Sequence, residues 1–369
     1  MQKGKAAFRH RTRGAAVPEK PIGLKGLADY LGLAPATVSL VMNDSHAANS
    51  IPAHTKERIL AAARKFHYRP HFFARALRGR RSLTVGVLVP EISEGYTALV
   101  MSGIENYLLQ AGYFYFVASH RHRPDLIEEY PRLLLERSVE GLILVDTPCR
   151  HHPPVPAVTV SGHQKITGLT NVVVNHRHAA AAALRHLFEL GHRRIAYIKG
   201  QAFSADTEVR WKSIRAEGAR LGLSFDQELV VQLEGDDPTP QLGYQTAQSL
   251  LARGRRFTAL FAFNDISAIG AMRALREAGF RVPEDVSIVG FDDIQSASYQ
   301  TPGLTTVRQP LRQMGEIAAE TLLRRVANPR ARYPHEIAVE PELVVRGSTA
   351  PVAERAERVV GSSAVAVGV

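Results

Sequence analysis

Gly23-Leu24-Lys25-Gly26-Leu27-Ala28-Asp29-Tyr30-Leu31-Gly32-Leu33-Ala34-Pro35-Ala36-Thr37-Val38-Ser39-Leu40-Val41-Met42-Asn43 contains two short helices and the turn between them. Leu24, Leu27, Ala28 and Leu31 recur at i, i+3, i+4 and i+7, the spacing of one apolar helix face. Ala28 is small, so a second helix can cross closely at that point. Gly32 supplies the backbone freedom of a tight turn. Pro35 suits the first turn of the next helix, where its missing N–H costs nothing. That helix turns Val38, Val41 and Met42 inward. A third follows Ile51-Pro52-Ala53-His54-Thr55, with Ile59, Ala62, Ala63 and Phe66 on its buried face.

The charge around this segment is lopsided. The 369 residues carry a formal net charge of +11. Residues 1–81 hold sixteen Lys and Arg against four Asp and Glu, a net of +12; residues 82–369 hold thirty against thirty-one, a net of −1. A basic head before a neutral body is the electrostatic footprint of a nucleic-acid binder. The single Cys149 excludes a disulfide scaffold or a cysteine-based zinc module and fits a reducing cytosol. No apolar run reaches the length of a membrane span. The first twenty residues are basic without an apolar core, so secretion is not expected and the cytoplasm is.

After Gly79-Arg80-Arg81 the pattern changes to apolar runs at Leu83–Val89, Tyr113–Ala118, Gly141–Val145, Val172–Val174, Arg194–Ile198, Ala259–Phe263 and Val286–Gly290. Helical stretches such as Leu99–Gln110, His178–Leu190 and Ile266–Ala278 lie between several of them. Strand–helix alternation predicts mainly parallel sheets covered on both faces. A body of this length is too long for one doubly wound unit, so two lobes are expected. Residues 1–20 and 350–369 lack periodicity and read as disordered tails.

The run Leu27-Ala28 … Gly32-Leu33 … Ala36-Thr37-Val38-Ser39 … Val41-Met42-Asn43 has helix-turn-helix spacing and resembles the lactose-repressor (LacI/GalR) family. The resemblance continues through Thr55-Lys56-Glu57-Arg58-Ile59-Leu60, Tyr68-Arg69-Pro70, Val85-Gly86-Val87-Leu88-Val89-Pro90, Leu190-Gly191-His192-Arg193-Arg194-Ile195-Ala196, Val282-Pro283-Glu284-Asp285-Val286-Ser287-Ile288-Val289-Gly290-Phe291-Asp292-Asp293 and Leu304-Thr305-Thr306-Val307-Arg308-Gln309-Pro310. The matches are collinear over residues 22–348. They imply an all-α helix-turn-helix DNA-binding head over 21–70, a hinge helix and linker over 71–81, and an α/β two-lobe, periplasmic-binding-protein-like (type I) effector domain over 82–349. The expected lobes are about 82–175 with 307–335, and about 176–306 with 336–349.

In such a family the second helix meets base edges in the major groove. By resemblance that role falls on Ala34, Pro35, Ala36 and Leu40, with Thr37, Ser39 and Asn43 beside them. Ala34 replaces the usual Ser or Thr cap, and Leu40 stands where Arg is frequent. None of the four first-named residues can make a bidentate base contact, so readout is expected to lean on thymine methyls. Thr37 and Ser39 suit phosphates. In the hinge, Leu77 would wedge into the minor groove and Ala74 would allow close approach.

Polar groups at strand ends near the crossovers are expected to converge on an effector cleft. The candidates are Tyr96, Ser119 and His120 from the first lobe, Arg210, Asn264 and Asp292 from the second, and Gln309 near the last crossover. Glu94-Gly95-Tyr96-Thr97 and Asn175-His176 depart from the commoner family pattern, which weakens a simple sugar expectation. Phosphorylated sugars, sugar acids and nucleobases remain open at this point. Helices Leu99–Gln110 and Met314–Val326, with Leu99, Leu322 and Leu323, are expected to build a homodimer face reading a pseudo-palindromic double-stranded site. The sequence contains no Walker loop, His-Glu-x-x-His or Gly-x-Ser-x-Gly motif, so no enzyme, cofactor or metal is expected. A solute-binding protein without a DNA role would explain the body and leave the +12 head unexplained.

Overall fold

The computed structural model describes residues 22–43, 45–68, 81–92 and 95–352. The chain divides into two compact units, Met1–Ser82 and Leu83–Val369. The expected terminal tail 1–20, the hinge with Ala74 and Leu77, and residues 353–369 lie outside the described residues.

The first unit is built from α1 (Leu24–Leu31), α2 (Pro35–Met42), a 3-10 turn (His46–Ser50) and α3 (Ala53–Lys65). Gly32 ends α1 in the left-handed region at φ 67°, where a side chain would be strained. Leu27, Ala28, Val38 and Ile59 are fully buried and join the three helices. Arg58 donates to the Leu31 carbonyl at 3.2 Å and ties α3 to the open end of α1.

The second unit begins with β1 (Thr84–Val89), α4 (Tyr96–Gln110), β2 (Phe114–Ser119), α5 (Pro124–Glu136), β3 (Gly141–Val145), β4 (Ala157–Val160) and β5 (Thr170–Val174). The chain then crosses into α6 (His176–Glu189), β6 (Ile195–Lys199), α7 (Ala205–Arg220), β7 (Val230–Gln232), α8 (Pro240–Ala252), β8 (Ala259–Ala262), α9 (Asp265–Glu277), β9 (Ser287–Asp292), α10 (Gln295–Ser298) and β10 (Thr305–Arg308). It returns through α11 (Leu311–Ala327) and β11 (Glu336–Val339) and crosses once more to β12 (Glu342–Val344). The first lobe's sheet runs β2-β1-β3-β4-β5-β11, all parallel; the second runs β7-β6-β8-β9-β10-β12, with only β12 antiparallel. Central strands are buried on both faces, as parallel strands beneath helices must be.

Two expected lobe boundaries move. Residues 307–308 pair with β9 in the second lobe, and Glu336–Val339 pairs with β5 in the first, Glu336 opposite Asn171. The crossovers therefore fall at 309–310 and 340–341. A four-residue edge strand with two exposed positions has no apolar run to announce it. Of the expected dimer face, Leu322 is lost to the core, while Leu99 and Leu323 are half-buried. Helices α4 and α11 cross so closely that a Cβ on Gly103 would lie 1.9 Å from the Arg312 carbonyl oxygen. Leu322 is fully buried against Gly141. The apolar side chains left exposed on this lobe include Leu109 and Phe114, at 63% and 60%.

Candidate effector cleft and nucleic-acid interface

In the head, Ala34 is extended and offers no side-chain cap, and Pro35 opens α2. Ala34, Pro35 and Ala36 are exposed, while Thr37 and Leu40 are half-buried. Leu40 packs partly on the three-helix core, so only part of its surface faces outward. Ser39 is 5% exposed, and its hydroxyl accepts from Asn43 Nδ2 at 3.1 Å. The expectation that Ser39 meets a phosphate is therefore corrected: its position on the inner half of a short helix turns it into the core. Asn43 is exposed, and its amide also donates to the Ser39 carbonyl at 2.7 Å, closing the last turn of α2.

In the second unit, a solvent-open cleft lies between the lobes, at the carboxyl ends of the strands. Arg210 anchors it. The α7 helix places this residue one turn after Asp206, and the two pair at 3.1 Å with both side chains buried. Its guanidinium is sandwiched between Phe291, 3.7 Å from the ring centre, and Phe263, at 4.4 Å. It also donates to the Phe263 carbonyl, while its Nε is buried without a partner. Such a desolvated cation over two rings is fixed in place before any ligand arrives.

Asp292 ends β9 in the left-handed region at φ 113° and accepts from Gln309 Nε2 at 2.6 Å. Burial pushes its carboxyl up to about 7, against the opposing pull of Arg210. Asp146, directly after β3, is raised to about 8 by burial and by the Asp206 charge; it accepts from the Ala205 N–H across the lobes at 3.4 Å. Asp206 stays well below the usual carboxylate range although burial opposes this, because His176, His163 and Arg210 stabilise its charge. Tyr96, in the first turn of α4, donates to Ser161 Oγ at 2.9 Å, and burial raises its phenol. Asn264 caps α9: its side-chain oxygen accepts from the Ser267 N–H, leaving its NH2 for a ligand.

Tyr96, Arg210, Asn264 and Asp292 line the cleft, and Gln309 reaches it through Asp292. Ser119 and His120 do not line it. Ser119 donates to the Pro90 carbonyl at 3.2 Å. His120 is fully buried, with Nε2 3.0 Å from Thr147 Oγ1 and Nδ1 accepting from the His122 N–H. Thr147 already donates to the Val145 carbonyl, so the imidazole is neutral with its proton on Nε2; burial lowers it to about 4. The strand-end position was right in kind, but the tight turn after β2 spends both side chains on shaping the loop. That loop presents His122 instead, whose ring packs on Phe203 from the other lobe at 4.0 Å.

The sequence reading missed Asp146, Asp206, Phe203, His122, Asp236 and Asp237, all of which line the cleft. Two carried a usable signal. Asp146 follows an apolar strand run directly, and Asp206 stands four residues before Arg210 on one helix face. The others lie on loops without periodicity.

Residues 184–349 match the model of a periplasmic binding protein-like domain. The chain is 32% identical over 334 residues to the HTH-type transcriptional repressor PurR of Aliivibrio fischeri, spanning 88% of this chain and 97% of that protein. Among solved structures it is similar to a lac repressor dimer bound to operator and an anti-inducer, with a TM-score of 0.79, 27% identity and coverage of 90% and 100%. It is also similar to the transcriptional regulator CelR in complex with cellobiose, with a TM-score of 0.64, 28% identity and coverage of 88% and 99%. Among the described residues, no helix is long and apolar enough to cross a membrane. With a helix-turn-helix head, two lobes crossed three times and relatives matched over nearly their whole length, the chain belongs to the LacI/GalR family of sequence-specific DNA-binding transcriptional regulators.

Proposed function

We propose that this regulator is a homodimeric repressor whose operator affinity is set by a neutral, polyhydroxylated effector of the sugar class. The composition of the cleft carries this reading. Among the described residues the cleft is lined by six carboxyl side chains (Glu91, Asp146, Asp206, Asp236, Asp237 and Asp292) and one guanidinium, that of Arg210, which is already paired with Asp206. A phosphate or carboxylate ligand would enter an acidic field, which disfavours sugar phosphates and sugar acids. Near neutral pH the raised Asp146 and Asp292 are partly protonated, so each can donate as well as accept. Hydroxyl pairs suit such groups, and the Phe203–His122 wall offers a face for apolar C–H surface. The relative solved with cellobiose supports the same class.

For the DNA face, Ala34, Pro35 and Ala36 are the exposed readers at the start of α2, with Thr37 placed for a phosphate. Leu77 and Ala74 of the hinge complete the set by family resemblance. Two copies would join through the exposed edge of the first lobe around Leu109 and Phe114. The test pairs selection of bound genomic fragments with a thermal-shift panel of neutral sugars, sugar phosphates, sugar acids and purines, since a bound ligand raises apparent stability by mass action. A stabilising neutral sugar is expected. Stabilisation by anionic sugars alone would overturn the effector assignment, and failure to enrich any palindromic site would overturn the operator reading.

A further inference from the structure

We propose that His163, His176 and Asp206 bind one divalent transition-metal ion across the two lobes, beside the effector cleft. The three residues come from separate segments. His163 lies in the connection between β4 and β5 of the first lobe, His176 is the first residue of α6, and Asp206 is in the first turn of α7. One donor atom from each lies within 4.8 Å of the other two. Both imidazoles direct Nε2 at the same carboxylate oxygen, His176 at 3.2 Å and His163 closer. Around a tetrahedral ion with bonds of ~2.0–2.1 Å, neighbouring donors stand about 3.3 Å apart. His176 and Asp206 already have that spacing, with His163 beside them on the same carboxylate oxygen.

The surroundings suit a ligand set. Side-chain exposures are 14%, 3% and 6%, so the donors are shielded from bulk water. Arg210 holds the second oxygen of Asp206 and fixes the carboxylate's orientation, as outer partners of metal ligands do. The Nδ1 of His176 is buried with no hydrogen-bond partner among the described residues, so no bond there opposes moving the ring proton to Nδ1 and freeing the Nε2 lone pair for the ion. Two imidazoles and one carboxylate select Zn²⁺, Co²⁺, Ni²⁺ or Fe²⁺ over Mg²⁺ or Ca²⁺. Three protein donors leave a fourth position for a solvent or effector oxygen. Because one donor belongs to the first lobe and two to the second, the ion would favour the lobe arrangement that brings them together.

The test uses the full chain, dialysed against chelator and titrated with Co²⁺. The expected result is a visible d–d band saturating at one equivalent per chain and removed by Zn²⁺. His163→Ala and His176→Ala should each weaken Co²⁺ binding roughly 100-fold. His152→Ala, at an exposed histidine outside the cluster, should leave the titration unchanged. Circular dichroism establishes that each variant is folded, and His163→Gln, at a less buried position, carries the test if His176→Ala does not fold. No saturable band, or equal affinity in the parent and the folded His163 variants, overturns the proposal and leaves a hydrogen-bonded contact between the lobes.

Discussion

Arg210 combines four restraints on one guanidinium: the Asp206 carboxylate, the Phe263 carbonyl and the faces of Phe263 and Phe291. Replacing it by Met leaves Asp206 buried without its guanidinium partner. Breaking a buried pair from one side costs about 3–5 kcal/mol. We expect Arg210→Met to lower the unfolding free energy measured in urea by that order and to abolish effector-dependent thermal shifts. Asp146 gives a pH test. Its carboxyl is raised to about 8, so the folded state binds more protons than the unfolded one, and stability falls as pH rises toward 8. Asp292, at about 7, acts in the same direction. His120 and His192 are lowered to about 4, so their contribution changes below pH 6.5 and is constant above it. Between pH 6.5 and 8 the ligand-free protein should therefore lose stability, roughly 1.5 kcal/mol of it from Asp146. In urea titrations Asp146→Asn should flatten that slope; an unchanged slope would show that Asp146 ionises normally.

At the scale of elements, α2 and the α4–α11 pair make opposite cases. Helix α2 begins at an extended Ala34 with no side-chain cap, in a geometry Ser or Asn would fill. Ala34→Ser should stabilise α2 by about 1 kcal/mol, read as slower hydrogen exchange of its amides. The missing cap was plain in the sequence, because capping depends on residues a few positions apart. The close crossing of α4 and α11 was not. Gly103 and Gly315 are 212 positions apart in the numbering, and each gives the other helix's backbone room that a Cβ would fill. Gly103→Ala should cost roughly 1–3 kcal/mol, because the neighbouring atoms are backbone and cannot rotate aside. Packing against Gly141, 181 positions earlier, likewise buries Leu322, which the sequence reading had expected in a dimer face.

For the whole molecule, the +12 head and −1 body predict two different salt responses. Operator affinity should fall steeply with added salt as phosphate counterions are released. Affinity for a neutral effector should barely move over the same range. A steep salt dependence of effector binding would instead indicate a charged ligand. Local pattern and charge determined much of this protein: the three head helices, the basic head and the parallel α/β body; the family resemblance added Tyr96, Arg210, Asn264 and Asp292 as expected cleft residues, all of which line the cleft. The helices, the charge and the strand–helix alternation follow from residues that are neighbours in sequence, where each residue's own chemistry suffices. Only the tertiary structure decided that Ser39, Ser119 and His120 turn inward, that Glu336–Val339 joins the first sheet, and that six carboxyls surround one arginine. It also brought His163, His176 and Asp206 together. Each of these depends on which distant segments meet, and backbone pairing and desolvation between such segments leave no periodic trace in the sequence.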